Sequence, residues 1–86
     1  MKEVLVYYTR TCPFCIAAQR LLESKNIVYT GIDVGGQPER RREMIEKSKG
    51  AYTVPQIFID GSLIGGCDEL YALEESGELD ILMKKS

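Results

Sequence analysis

Val4-Leu5-Val6-Tyr7-Tyr8 is an unbroken run of aliphatic, β-branched and aromatic residues, a pattern that predicts a strand buried on both faces. After a short polar stretch, the pattern changes period. From Cys12-Pro13-Phe14-Cys15 to about Lys25 the apolar residues Cys15, Ala18 and Leu22, with Ala17 and Leu21 beside them, follow the spacing of one helix face. Pro13 suits the first turn of that helix, where its missing N–H has no partner to lose. Residues 27–34 predict a second strand, and a strand–helix–strand unit implies parallel strands joined by a right-handed crossover. Gly35-Gly36-Gln37 reads as a loop and Pro38-Glu39 opens a second helix to about Lys49. There Lys47 and Lys49 complement the negative helix end and Gly50 can stop it. Gln56-Ile57-Phe58-Ile59 and Ser62-Leu63-Ile64 flank Asp60-Gly61, the signature of a two-residue hairpin turn. Gly65-Gly66 breaks the second hairpin strand. A third helix is expected from Cys67 to about Ser76 with Leu70 and Leu73 inward, and a short last one from Leu79 to Lys84. This order predicts an α/β fold in one domain, residues 1–86: a four-stranded mixed sheet with helices on both faces.

Composition narrows the function classes. A formal net charge of −2 lacks the basic footprint of nucleic-acid binding. No apolar stretch approaches the length of a membrane span, so no membrane partner is expected. Met1-Lys2-Glu3 turns polar too quickly for a secretory leader, and a cytoplasmic location is expected. The three cysteines are too few for a disulfide scaffold. With no histidine they cannot complete a structural zinc site without a carboxylate, so no metal is expected. Redox chemistry or incidental buried thiols remain.

In such a sheet, chemistry belongs at the strand ends where a helix N-terminus points outward. Cys12-x-x-Cys15 falls on such a strand-to-helix turn. A thiolate at Cys12 feels the positive helix end and its unpaired N–H groups, and Arg10 adds positive charge nearby. Cys12, ahead of the helix, is expected to be exposed and to attack; Cys15, one turn in, is expected to be shielded and to resolve the mixed disulfide. Thr53-Val54-Pro55 is a second signal, since a proline before an apolar run is no ordinary central-strand residue. Its peptide bond can be trans, as a strand starter, or cis, turning the Val54 backbone outward to pair with an extended peptide. Gly65-Gly66-Cys67-Asp68 is the third. Its glycines allow close approach of a ligand, the helix N–H groups suit an anion, and Asp68 suits either an amine or only the helix dipole. Arg40-Arg41-Arg42 can bind a further carboxylate or be a solvated face.

These features, in this order, resemble the glutaredoxin family over essentially the whole chain, nearest its small bacterial dithiol members. Cys12-Pro13-Phe14-Cys15 is similar to the family's CPYC site with phenylalanine in place of tyrosine, Thr53-Val54-Pro55 to its TVP loop, and Gly65-Gly66-Cys67-Asp68 to its GGxD segment. The resemblance implies a thioredoxin-like fold and a monomeric, glutathione-dependent oxidoreductase. Its partners would be glutathione, as reductant and ligand, and disulfide-containing or glutathionylated proteins. It further implies a cis bond before Pro55 and glutathione contacts from Arg10, Arg42, Thr53, Val54, Pro55, Gly66, Cys67 and Asp68. In that scheme Val54 pairs through its backbone with the cysteinyl residue. The Cys67 and Asp68 N–H groups meet the γ-glutamyl carboxylate, Asp68 takes the amine, and Arg42, or failing it Arg41, takes the glycine carboxylate. Cys67, in the first helical turn, is expected to contribute mainly its N–H. Thr9 stands where the family usually has a basic residue, with Arg10 one position later. Two other classes fit the same fold. A reductant fed by a flavoprotein would resemble thioredoxin, but the chain has no tryptophan. An iron–sulfur carrier usually lacks the second cysteine or the proline present here.

Overall fold

A computed structural model describes residues 2–84 of the chain. The elements are β1 (Val4–Tyr8), α1 (Pro13–Ser24), β2 (Thr30–Asp33), α2 (Pro38–Lys47), β3 (Gln56–Ile59), β4 (Ser62–Gly65), α3 (Cys67–Ser76) and α4 (Glu78–Lys84). The strands form one sheet in the order β2-β1-β3-β4. The β1–β2 pair is parallel, and β1–β3 and β3–β4 are antiparallel, the mixed sheet that the hydrophobic pattern predicts. The central strand β1 is an unbroken apolar run and β3 is buried throughout, with Gln56 its one polar residue, whereas each edge strand, β2 and β4, begins with exposed residues.

Alternation along the central strands sorts the helices. Val4 and Val6 of β1 and Ile57 and Ile59 of β3 face one way, against Ala18 and Leu22 of α1, Leu70 of α3 and Leu79 of α4. Tyr7 and Phe58 face the other way and pack against Met44 of α2, with Val34 and the side chain of Val54 joining them. Tyr7 and Phe58 meet edge to face, with ring centroids 5.9 Å apart. The fully buried Tyr7 sends its hydroxyl to Glu43 of α2 at 2.5 Å, so the helix is tied to the central strand by a charge-assisted bond as well as by packing. Burial first, and then that carboxylate, hold the Tyr7 phenol well above its ordinary range. On the opposite face, Lys25 at the end of α1 pairs with Glu74 of α3 and Asp80 of α4, each at 2.8 Å.

Two local features differ from the sequence reading. The second strand starts at Thr30, not near residue 27, because its register on β1 begins at Leu5↔Thr30. Residues 25–27 instead finish α1: Asn26 has φ 58, its N–H donates to Glu23 O, and Ile27 N–H donates to Leu22 O. Those two bonds close a Schellman motif, and Ile27 packs on the cluster that contains Leu22. The second helix ends in the same way one residue earlier than its glycine suggests. Lys49 takes the left-handed conformation (φ 60), donating to Glu46 O, and Gly50 follows with its N–H on Ile45 O.

The topology gathers the three sequence signals at one end of the sheet. Because β1 and β3 are antiparallel with Tyr7 opposite Gln56, the segment leaving β1 toward Cys12 lies beside the segment entering β3 from Pro55. Gly65, paired with Ile57, brings the end of β4 and the start of α3 to the same place.

Lys49 is an exposed residue in a conformation that penalises a Cβ. Lys49→Gly is expected to stabilise the fold by about 0.5–1 kcal/mol, a rise in Tm of roughly 2–8 °C by thermal circular dichroism. A fall in Tm would mean that the lysine's charge at the helix C-terminus outweighs its backbone strain.

Candidate active site

Cys12 is the N-cap of α1. Its backbone is extended (φ −86, ψ 114) and its sulfur accepts the N–H of Cys15 at 3.3 Å. The first turn of α1 carries no acidic residue, unlike the first turns of α2, α3 and α4. Carboxylates normally fill that position because they complement the helix dipole. Here the positive end is left to the Cys12 sulfur. The Cys12 thiol also lies 3.7 Å from the carbonyl of Val54, as a weak donor.

Cys15 is the first residue of the buried stripe Cys15–Ala18–Leu22 and is completely inaccessible. Burial, and next a hydrogen bond with Cys12, push its thiol up to about 12. All three cysteines are free thiols. Cys67, at the start of α3, is buried, and burial followed by the neighbouring Asp68 raises its thiol as well.

An open cleft of about 180 Å³ lies beside Cys12, lined by Phe14, the loop Thr53, Val54 and Pro55 with Gln56, and the α3 start Gly66, Cys67, Asp68 and Glu69. The peptide bond before Pro55 is cis. Gly66 lets the two walls meet closely, since a Cβ there would lie 3.3 Å from the Pro55 carbonyl oxygen. Glu69 accepts the Gly66 N–H at 2.6 Å, half of a capping box, while the N–H groups of Cys67 and Asp68 have no partner among the described residues. Those free donors and the helix dipole make this wall an anion cradle, and the Asp68 and Glu69 carboxylates beside it suit an amine.

Of the residues singled out by sequence, Cys12, Cys15, Thr53, Val54, Pro55, Gly66, Cys67 and Asp68 converge here. Arg10 does not line the cleft. Its side chain is largely in solvent and pairs with Asp33 at the end of β2, 3.2 Å away. Arg42 is exposed and has no hydrogen bond or ion pair among the described residues. Its neighbour Arg41 is the arginine that touches the loop, donating to the Tyr52 carbonyl at 3.1 Å. Sequence reasoning did not pick out Glu69 or Gln56. The Gly66-x-x-Glu69 spacing, an N-cap followed three residues on by glutamate, was the available signal for the first. Gln56 carried no signal beyond being a polar residue at the head of an apolar strand.

The geometry fixes an order of thiol reactivity. In the folded protein near pH 7, iodoacetamide is expected to label Cys12 well before Cys15, by peptide mapping. Because the Cys15 thiol holds its proton until about pH 12, raising the pH to 9 should leave that order unchanged. Equal labelling rates would show that Cys15 is neither shielded nor held protonated.

Comparison with known proteins identifies the family of the chain. The glutaredoxin family model matches residues 4–64. Glutaredoxin 3 of Escherichia coli is 49% identical over 84 residues, covering 98% of this chain and 100% of its own length. The solution structure of glutaredoxin from Brucella melitensis superposes with a TM-score of 0.82 at 46% identity, covering 95% of this chain and 88% of that one. A dithiolic glutaredoxin from Trypanosoma brucei brucei gives 0.83 at 39% identity, covering 94% and 86%. With the family's two-cysteine turn, its proline loop and its glycine pair assembled around one cleft on a thioredoxin-like sheet, the chain belongs to the glutaredoxin family of thiol–disulfide oxidoreductases.

Proposed function

We propose that the chain is a dithiol oxidoreductase that uses glutathione to reduce glutathionylated proteins and protein disulfides. Cys12 is the nucleophile and Cys15 the resolving thiol. The observation that carries this reading is the Cys12 sulfur: it caps α1, accepts the Cys15 N–H, and stands beside a cleft whose walls match the groups of glutathione. The reading is supported at each end of the ligand. Val54 has a backbone N–H with no partner among the described residues, free to pair with the cysteinyl residue. The free N–H groups of Cys67 and Asp68 suit the γ-glutamyl carboxylate, with the Asp68 side chain for its amine. For the glycine carboxylate the contact that Arg41 makes from α2 with the loop favours it over Arg42. One Arg41 N–H is engaged by Tyr52, and a guanidinium has further donors to offer.

In the monothiol cycle, the Cys12 thiolate attacks the glutathione sulfur of a mixed disulfide. The Cys12–glutathione bond forms as the substrate thiolate leaves. A glutathione thiolate then attacks that bond, giving oxidised glutathione and restoring Cys12. In the dithiol cycle, Cys12 forms a mixed disulfide with the protein substrate, and Cys15 attacks it from one helical turn away at high effective concentration. The substrate's second thiolate leaves, and two glutathiones reduce the Cys12–Cys15 disulfide. The raised affinity of Cys15 for its proton fits this order. Burial, the largest cause, persists in the mixed disulfide, while the smaller contributions of Cys12 fall away once its sulfur is consumed. No helix among the described residues is long and apolar enough to cross a membrane. A monomer in the reducing cytoplasm fits three unpaired thiols.

Two sets of variants test this reading. Cys12→Ser should abolish both activities in a glutathione, glutathione reductase and NADPH assay. Cys15→Ser should keep deglutathionylation and lose most reduction of protein disulfides. Retention of either activity by Cys12→Ser, or equal loss of both in Cys15→Ser, would reverse the assignment.

Asp68→Ala and Arg41→Ala should each raise KM for a glutathione mixed disulfide by a few-fold to about tenfold. kcat should change little, because these contacts are made in ground and transition state alike. Arg42→Ala should have the smaller effect. A larger effect from Arg42 would return the carboxylate contact to that residue.

A further inference from the structure

The loop that carries Val54 is held by side chains and not by a strand ladder. Three successive residues are each taken by a different partner. Ser48, buried at the end of α2, exchanges hydrogen bonds with Ala51 at 3.0 Å. Arg41 donates to the Tyr52 carbonyl at 3.1 Å. Gln56 donates through Nε2 to the Thr53 carbonyl at 3.0 Å and to the Thr53 hydroxyl at 3.4 Å. A carbonyl only accepts, so the amide nitrogen must face Thr53 and the orientation of the Gln56 side chain is fixed.

Gln56 differs from the other two. Ser48 and Arg41 hold the approach to the loop from α2. Gln56 reaches back from the far side, so that Thr53 and Gln56 bracket Val54 and Pro55. It is also the first residue of β3, paired with Tyr7 of the central strand. It is 94% buried, and a buried amide is costly unless its donors are used. An aliphatic residue would fill the place at the head of Ile57-Phe58-Ile59 more cheaply. What the amide supplies is a rigid link from the central sheet to the residue before Val54. With residues 51–53 tied down and the Val54 side chain packed on the α2-face core, the Val54 N–H is left for the cleft and its carbonyl faces Cys12.

The geometry points to Gln56 as the positioning residue that presents the Val54 backbone to the substrate. This rests on the reading that Val54 pairs with glutathione. Gln56 touches Thr53 and acts through it, so its contribution is the pre-ordering of an edge that would otherwise be fixed at the moment of binding.

The test compares Gln56→Leu, which removes the donors, and Gln56→Glu, which keeps the shape but sets an acceptor against the Thr53 carbonyl. Three measurements are made on each full-length variant: the backbone amide order parameters of Thr53 and Val54, kinetics with a glutathione mixed disulfide, and the rate of Cys12 alkylation. The expected result is a fall of both order parameters from the rigid value of about 0.85 toward 0.6. KM should rise about three- to tenfold with kcat within about twofold of wild type, and Cys12 alkylation should be unchanged. A merely structural role would lower stability without that split between KM and kcat. Unchanged order parameters would overturn the proposal, and so would loosened residues with an unchanged KM. If one variant does not fold, the other gives the same decision. A wild-type protein with no glutathione turnover would instead overturn the glutathione reading, and the substrate role of Gln56 with it, even where the order parameters fall.

Discussion

The hydrogen bond from the Cys15 N–H to the Cys12 sulfur is the contact around which the rest of the site is arranged. It exists because a central strand delivers the chain to the start of a helix whose first turn has unpaired donors. Placing the sulfur at the cap puts the second cysteine one turn further on, within the buried stripe that continues to Ala18 and Leu22. One stretch of helix therefore sets both thiols and their difference: one at the polar end of the dipole, the other in the core with its proton held. The absence of a carboxylate from that first turn, while α2, α3 and α4 each have one, leaves this dipole unopposed.

The second wall follows from the antiparallel pairing of β1 and β3. That register puts the entry to β3 next to the exit from β1, so the Val54 carbonyl reaches the Cys12 thiol. The loop has two sides with different duties. The Val54 side chain is half-buried against the cluster of Tyr7, Met44 and Phe58, while polar side chains from α2 and β3 occupy its preceding carbonyls. The third wall is drawn in by Gly65 and Gly66. A Cβ at Gly65, where φ is +121, would come within 2.8 Å of Glu69, and one at Gly66 would press on the Pro55 carbonyl. The cleft thus has backbone donors on two sides and two carboxylates on one.

Much of this was legible in the residues. The Asp60-Gly61 hairpin, the apolar runs of β1 and β3, the buried face of α1 and the limits of α3 all rest on interactions within a few residues of each other. The same holds for the two thiols, because strand, turn and helix are contiguous from Val4 to Ser24. Placement of Val54, Cys67 and Asp68 around one cleft needed the family resemblance, since those segments are about forty or more residues from Cys12.

The remainder depended on contacts distant in sequence. The start of β2 was misplaced because an edge strand extends only as far as its register on β1, and Ile27 was already committed to closing α1. Along Arg40-Arg41-Arg42 each step turns the side chain by about 100°, so only the packing of α2, through Met44, on Tyr7 and Phe58 selects Arg41 for the Tyr52 carbonyl. Arg10 is near Cys12 in sequence, yet Asp33 from a parallel strand claims its guanidinium. The sequence by itself determined the elements and the chemistry of the Cys12–Cys15 turn, because short-range periodicity and helix-end electrostatics act within one segment. Tertiary structure decided which carbonyls and amides meet around the cleft and which arginine reaches the loop, because their distances are set by sheet register and helix packing rather than by position along the chain.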